Sequence, residues 1–232
     1  MFFIIKKEYL ILYSAVILFT LGSLFAYAKH SAESYPGFDK TTVIIDPGHG
    51  GLDGGAVGKN GTLEKDLNLA LSLELKDMLS KNGFDVIMTR EEDKMLGKTK
   101  KVDTKERLML AKKNPEALYV GIHMNSFEDA TSKGSQIFYS TKNPQSKIFA
   151  GVLKNNFLKT VDSENKRQNK EAFNTIYIMR NIENPAVLIE CGFLSNRTEE
   201  QKLNSREYRA KIEKAITESI IAFSKQNNIS AR

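Results

Sequence analysis

Four side chains in this sequence stand where a folded chain keeps its chemistry: His49, Glu64, His123 and Glu190. His49 follows the β-branched run Val43-Ile44-Ile45 through Asp46-Pro47-Gly48, and His123 ends the apolar run Leu118-Tyr119-Val120-Gly121-Ile122. Such runs, stopped by Pro, Gly or polar residues, read as buried strands, and α/β proteins bind their ligands at the ends of those strands. Two imidazoles and one carboxylate are the ligand set of an open catalytic zinc site, and a second carboxylate can then accept the proton of an attacking water. Each residue also has a structural reading. A turn histidine is often merely exposed, and Glu64 in the first turn of a helix would complement its dipole by about 0.3–1 kcal/mol. Glu190 resists that reading, because a carboxylate ending Ala186-Val187-Leu188-Ile189 is costly unless it is paired, metal-bound or open to a cleft.

The elements that must position these groups alternate along the chain. Thr42 to Asp46 reads as a first strand, and the loop from Pro47 to Thr62 carries seven glycines. Glu64 to Asn82 has Leu or Met at 67, 71, 75, 78 and 79, a helical spacing stopped by Asn82-Gly83. Phe84 to Thr89 is a second strand ending at Arg90. The charged stretch Glu91 to Asp103 reads as an irregular, mobile loop beside the site, and Thr104 to Lys113 as a short helix halted at Asn114-Pro115. Leu118 to Met124 is the third strand, with Asn125 just beyond it. Gly134 to Ser140, Asn174 to Met179 and Pro185 to Glu190 read as further strands, and Ser146 to Val161 and Glu207 to Ser224 as helices. The expected fold is a single α/β domain with a central, mostly parallel twisted sheet flanked by helices.

The chain's 232 residues allow one such domain and an appendage. Tyr9 to Ala28 is free of charge and follows Lys6 and Lys7. It reads as a signal peptide cleaved after Ala28 or as a retained membrane anchor, with the remaining chain exported. Residues 29–40 form a polar linker that contains the third histidine, His30, and residues 41–232 the folded domain. A single cysteine, Cys191, rules out an internal disulfide. The formal net charge of +6 and a pI of about 9.2 suit anionic wall polymers or lipid headgroups. No basic stripe with interleaved aromatics appears, so nucleic acid is not an expected partner.

The glycine loop is not a nucleotide loop. Gly58-Lys59 is followed by Asn60 rather than Ser or Thr, and Asp53 stands where a dinucleotide fingerprint starting at Gly48-His49-Gly50 needs its closing glycine. A cysteine hydrolase built on Cys191 and His123 is disfavoured by the apolar strand end that holds the thiol.

Five motifs then occur in order: Ile45-Asp46-Pro47-Gly48-His49-Gly50-Gly51, Leu63-Glu64-Lys65-Asp66-Leu67-Asn68, Thr89-Arg90, Gly121-Ile122-His123-Met124-Asn125-Ser126, and Leu188-Ile189-Glu190-Cys191-Gly192-Phe193-Leu194-Ser195-Asn196. Their order resembles the zinc-dependent N-acetylmuramoyl-L-alanine amidases of the Amidase_3 family across residues 41–225. The resemblance implies one catalytic Zn²⁺ held by His49, Glu64 and His123, with Glu190 as the catalytic glutamate. It implies peptidoglycan as substrate, cut between the muramic acid lactyl group and L-alanine. Asp46 is then read as an orienting partner of a ligand histidine or a turn residue, and Arg90 and Asn125 as substrate or scaffold contacts. Met124 replaces a common alanine, and with the lysine-rich loop 91–103 is expected to shape the groove. One catalytic domain behind one hydrophobic segment is most similar to the sporulation members, which prepare cortex muramic acid for lactam closure in the forespore intermembrane space. An accessory activator protein fits that setting. A zinc peptidase cutting within the stem peptide shares the chemistry, and a tethered, non-catalytic wall-binding regulator shares the architecture.

Overall fold

The computed structural model describes Thr20 and residues 41–172 and 176–230. The cleavage site, the linker 29–40 and, Thr20 apart, the charge-free segment lie outside the described residues. Among those residues no helix is long and apolar enough to cross a membrane.

Among the described residues six strands form one sheet: β1 (Thr42–Pro47), β2 (Asp85–Met88), β3 (Leu118–Asn125), β4 (Gln136–Tyr139), β5 (Lys170–Glu171) and β6 (Ala186–Phe193). Their order is β2-β1-β3-β6-β4-β5, parallel throughout except where β4 meets β6. The central strands are apolar on both faces, as a sheet covered twice requires. Val43, Ile45, Val120, Ile122, Val187 and Ile189 face one layer, made of α1 (Glu64–Lys81), α3 (Gln145–Thr160) and α6 (Arg206–Ser230). Ile44, Tyr119 and Leu188 face the other, where α2 (Lys100–Lys113) and the single turn α4 (Tyr177–Asn181) pack. A further helix, α5 (Arg197–Asn204), follows β6, with the Asn196 side chain accepting from Thr198 N and Glu199 N.

Three local expectations change. Tyr177 to Met179, read with Asn174 as a strand, are helical in α4, and residues 173–175 lie outside the described set. The β-branched composition there suggested a strand, but Met179 and Ile182 are buried three residues apart, the spacing of a helical turn on the sheet's face. Helix α2 starts at Lys100 rather than Thr104, because the Thr99 side chain caps it by accepting from Val102 N at 3.3 Å. The stretch 91–99 before it is tied down. Asp93 accepts from Gly51 N at 2.7 Å and from Lys65 Nζ at 2.5 Å, and Asp103 accepts from Leu96 N at 2.6 Å.

Met124 does not line a groove. Side chains alternate across β3, so His123 and Met124 point to opposite faces, and Met124 is buried in the α1 layer. Met124→Leu should therefore leave the cleavage products unchanged. Met124→Ala should lower the unfolding free energy by about 2–5 kcal/mol in denaturant titrations.

Candidate metal centre

Strand register brings the four chemical side chains together. Pro47 of β1 pairs with Ile122 of β3, which sets Gly48-His49 beside His123, and His123 pairs directly with Glu190 of β6. Directly paired residues share a face, so His123 and Glu190 are neighbours by construction. Glu64 arrives from the opposite layer as the first residue of α1. An isolated bridge between Val57 and Leu63 closes the loop before it, and Glu64 N donates to Ala56 O at 2.9 Å. That loop is clamped from the far end of the chain. The buried Glu200 carboxylate accepts from Asn60 N at 3.0 Å, Thr62 N at 3.3 Å and Asn60 Nδ2 at 3.0 Å.

At the centre, Glu64 lies between two imidazoles. Its Oε2 is 3.2 Å from His49 Nε2, and its Oε1 is 3.0 Å from His123 Nδ1. The two rings meet edge to face with centroids 5.1 Å apart. One ligand atom from each of the three residues lies within 4.8 Å of the others, so the set can hold one ion. The carboxylate is fixed by donors of its own: Ala56 N at 2.8 Å, Met124 N at 3.1 Å and Asn68 Nδ2 at 3.3 Å. Two glycines make room. A Cβ on Gly48 would lie 2.1 Å from His123 Cε1, and one on Gly55, at φ 68°, would lie 2.5 Å from Glu64 Oε2. His49 itself has φ 63°, a left-handed conformation that costs a non-glycine residue about 1–3 kcal/mol.

The two glutamates sit in opposite electrostatic settings. Burial pushes the Glu64 pKa up, but hydrogen bonds and charge from His123 and His49 outweigh it and hold the carboxyl well below the usual range. Burial also disfavours the charged form of His49, and the carboxylates of Glu64 and Asp53 more than offset this and raise its pKa. Glu190 has no hydrogen bond from either ring, and the charge of His123 and His49 does not offset its burial. Burial drives its pKa up to about 7, and its Oε2 is buried without a hydrogen-bond partner. A cavity of about 320 Å³ opens here, lined by His49, His123 and Glu190 and extending to Arg107, Tyr119 and Leu188. Cys191 offers no nucleophile, since burial pushes its thiol far above the usual range.

The remaining candidate residues, Asp46, Arg90 and Asn125, make contacts of their own. Asp46 does not touch a histidine ring. It accepts from Thr89 Oγ1 at 2.6 Å, Arg107 Nη1 at 2.5 Å and the Tyr119 hydroxyl. The carboxylate that orients His49 is Asp53, whose Oδ2 lies 2.9 Å from His49 Nδ1 while its Oδ1 meets Lys100 Nζ at 2.6 Å. The signal for Asp53 in the sequence is an acid four residues after His49 in a glycine turn. Arg90 is buried and donates to the carbonyls of Pro47, Gly48, Lys65 and Glu92. Asn125 lies beyond a register shift in β3, outside the cavity lining, and its carbonyl accepts from Leu194 N at 2.8 Å. Because Asp53 fixes the ring through Nδ1 and leaves Nε2 toward Glu64, Asp53→Asn should weaken metal binding about 10–100-fold in a chelator competition. Gly48→Ala should abolish it by displacing His123.

Residues 43–222 match the family model described as N-acetylmuramoyl-L-alanine amidase, Amidase_3. The chain is 34% identical over 189 residues to the germination-specific N-acetylmuramoyl-L-alanine amidase of Bacillus subtilis, covering 78% of each protein. It is 25% identical over 228 residues to the N-acetylmuramoyl-L-alanine amidase AmiA of Escherichia coli, covering 79% and 76%. Among solved structures it resembles the CwlD amidase of Clostridioides difficile, determined in complex with the GerS lipoprotein. The TM-score is 0.72 and the identity 36%, over 79% of this chain and 98% of that one. An N-acetylmuramoyl-L-alanine amidase from Clostridium difficile 630 gives a TM-score of 0.72 at 31% identity, over 80% and 97%. By sequence and by fold the chain belongs to the Amidase_3 family of N-acetylmuramoyl-L-alanine amidases, enzymes that act on peptidoglycan.

Proposed function

We propose that the chain is a zinc-dependent amidase in which His49, Glu64 and His123 hold the ion and Glu190 acts as the general base. The observation that carries this reading is the contrast between the two glutamates. Glu64 lies between the two imidazoles with one oxygen on each, as a ligand must, and Glu190 is buried beside them with an unpartnered oxygen. The spacing supports zinc. Donors at zinc–nitrogen and zinc–oxygen distances lie about 3.4 Å apart around a tetrahedral ion, and the Glu64–His49 and Glu64–His123 separations are 3.2 and 3.0 Å. When bound, zinc supplies Lewis-acid polarisation and a lowered water pKa. Glu190 removes the proton of the attacking water and delivers it to the departing amine of L-alanine, a shuttle suited to a buried carboxyl with an unpartnered oxygen beside the ligands. The products are the muramic acid lactyl carboxylate and a free stem peptide.

Within the family, the germination-specific relative and the CwlD neighbour support a role in spore cortex maturation, where peptide removal precedes muramic-lactam formation. The charge-free segment Tyr9–Ala28 behind Lys6 and Lys7 supports export, as a cleaved signal or an anchor, with residues 29–40 as linker and 41–232 as the catalytic domain. The CwlD neighbour was solved with a lipoprotein, which supports an accessory lipoprotein as a partner of this chain too.

Peptidoglycan incubated with the protein and zinc should release stem peptides beginning with L-alanine, seen by mass spectrometry and lost with chelator. Shortened peptides still joined to muramic acid would make it a peptidase, and zinc binding without any product a regulator. Glu190→Gln should reduce kcat by about 10²–10⁴-fold with zinc content unchanged. In the parent enzyme kcat/KM should rise with pH as Glu190 loses its proton, at a midpoint below 7 because the bound cation favours the ionised form. Spores lacking the chain should lack muramic lactam.

A further inference from the structure

Beside the metal centre lies a buried set of charges that the amidase chemistry does not use. The side chains of Asp46 and Arg107 are each 3% exposed and meet at 2.5 Å. Asp103 accepts from Arg107 Nε at 2.7 Å, and Thr89 and Tyr119 complete the shell of Asp46. Replacing a buried ion pair by apolar groups is often neutral or stabilising, so stability alone does not account for the arrangement.

Its other contacts do account for it. Arg107 Nη1 donates to Pro47 O at 2.7 Å, and Nη2 donates to His49 O at 2.7 Å. Arg90 takes Pro47 O at 3.1 Å and Gly48 O at 3.0 Å. Three successive carbonyls, at 47, 48 and 49, are thus gathered by two buried guanidinium groups at the point where His49 adopts a positive φ of 63°. Although Arg107 lines the cavity, it has little left to offer a substrate, because its nitrogens are committed to Asp46, Asp103, Pro47 O and His49 O.

We propose that Arg107 is the positioning residue of the metal centre. It holds the His49 carbonyl and with it the left-handed backbone that aims His49 Nε2 at Glu64, while Asp46 and Asp103 fix the guanidinium. A lysine cannot reproduce this, since one ammonium cannot span two carboxylates and two carbonyls in a planar fork. The inference rests on the metal reading above.

The test uses the full chain and the metals alone. Zinc dissociation constants come from chelator competition, the ligand field from the visible spectrum of the Co²⁺-loaded protein, and fold integrity from the melting temperature without metal. Arg107→Lys should weaken zinc at least 10-fold and change the cobalt bands. The remote core variant Leu153→Ala should lower the metal-free melting temperature and leave both metal readouts unchanged. Asp103→Asn, which loosens the guanidinium but keeps the Asp46 pair, should weaken zinc in the same direction and serves if Arg107→Lys does not fold. An Arg107→Lys protein with parental zinc affinity and cobalt spectrum would overturn the proposal. So would an equal zinc loss in Leu153→Ala, or an unchanged Asp103→Asn when Arg107→Lys is unfolded. A parent chain that binds no zinc would remove the metal reading first, and this inference with it.

Discussion

The parallel pairing of β1, β3 and β6 is the constraint on which the site depends. Three apolar strands held in one register finish at a common edge, and each then delivers one polar group: His49 just past β1, His123 near the end of β3 and Glu190 on β6. A slip of one residue in β3 would send His123 into the α1 layer and bring Met124 to the site. The hydrophobic alternation of Tyr119 and Val120, and of Leu188 and Ile189, therefore holds a functional geometry as well as a core.

Glu64 resolves a conflict that the sheet alone cannot. It enters from the opposite helical layer, so its carboxylate must be buried at the sheet edge to reach the two imidazoles. Three hydrogen-bond donors of the chain and two imidazoles offset that burial. Glu190, paired across the strand with His123, receives no such donors, and its pKa moves the other way. One edge thus keeps two carboxyls in different electrostatic settings, and the roles proposed for them, ligand and base, rest on the surroundings of each rather than on residue type.

Much of this was legible in the sequence. The apolar runs marked β1, β3 and β6, the leucine spacing marked α1, and His49, Glu64, His123 and Glu190 stood at element ends. What was not legible depends on partners distant in sequence. Asp46 looked like a companion of its neighbour His49, yet its bonds run to Thr89, Arg107 and Tyr119, and no local pattern announces a contact 61 residues away. Asp53 is close in sequence to His49, but the turn that points it at Nδ1 depends on a bridge between Gly50 and Asp53 that glycine content alone does not specify. Residues 177–179 misled for a different reason. Their β-branched flanks fit a strand, and only the covered face of the sheet offers Met179 and Ile182 a place to be buried.

The Glu200 clamp has a consequence for the order of assembly. The loop that presents Glu64 is secured by a carboxylate 140 residues later in the chain, and Glu190 lies ten residues before that. A chain emerging from its amino terminus therefore carries both histidines and Glu64 long before the pieces that fix and complete them exist. Until Glu200 is in place, the loop ahead of Glu64 lacks the clamp it has in the finished fold, although the three residues of the candidate centre are already in the chain.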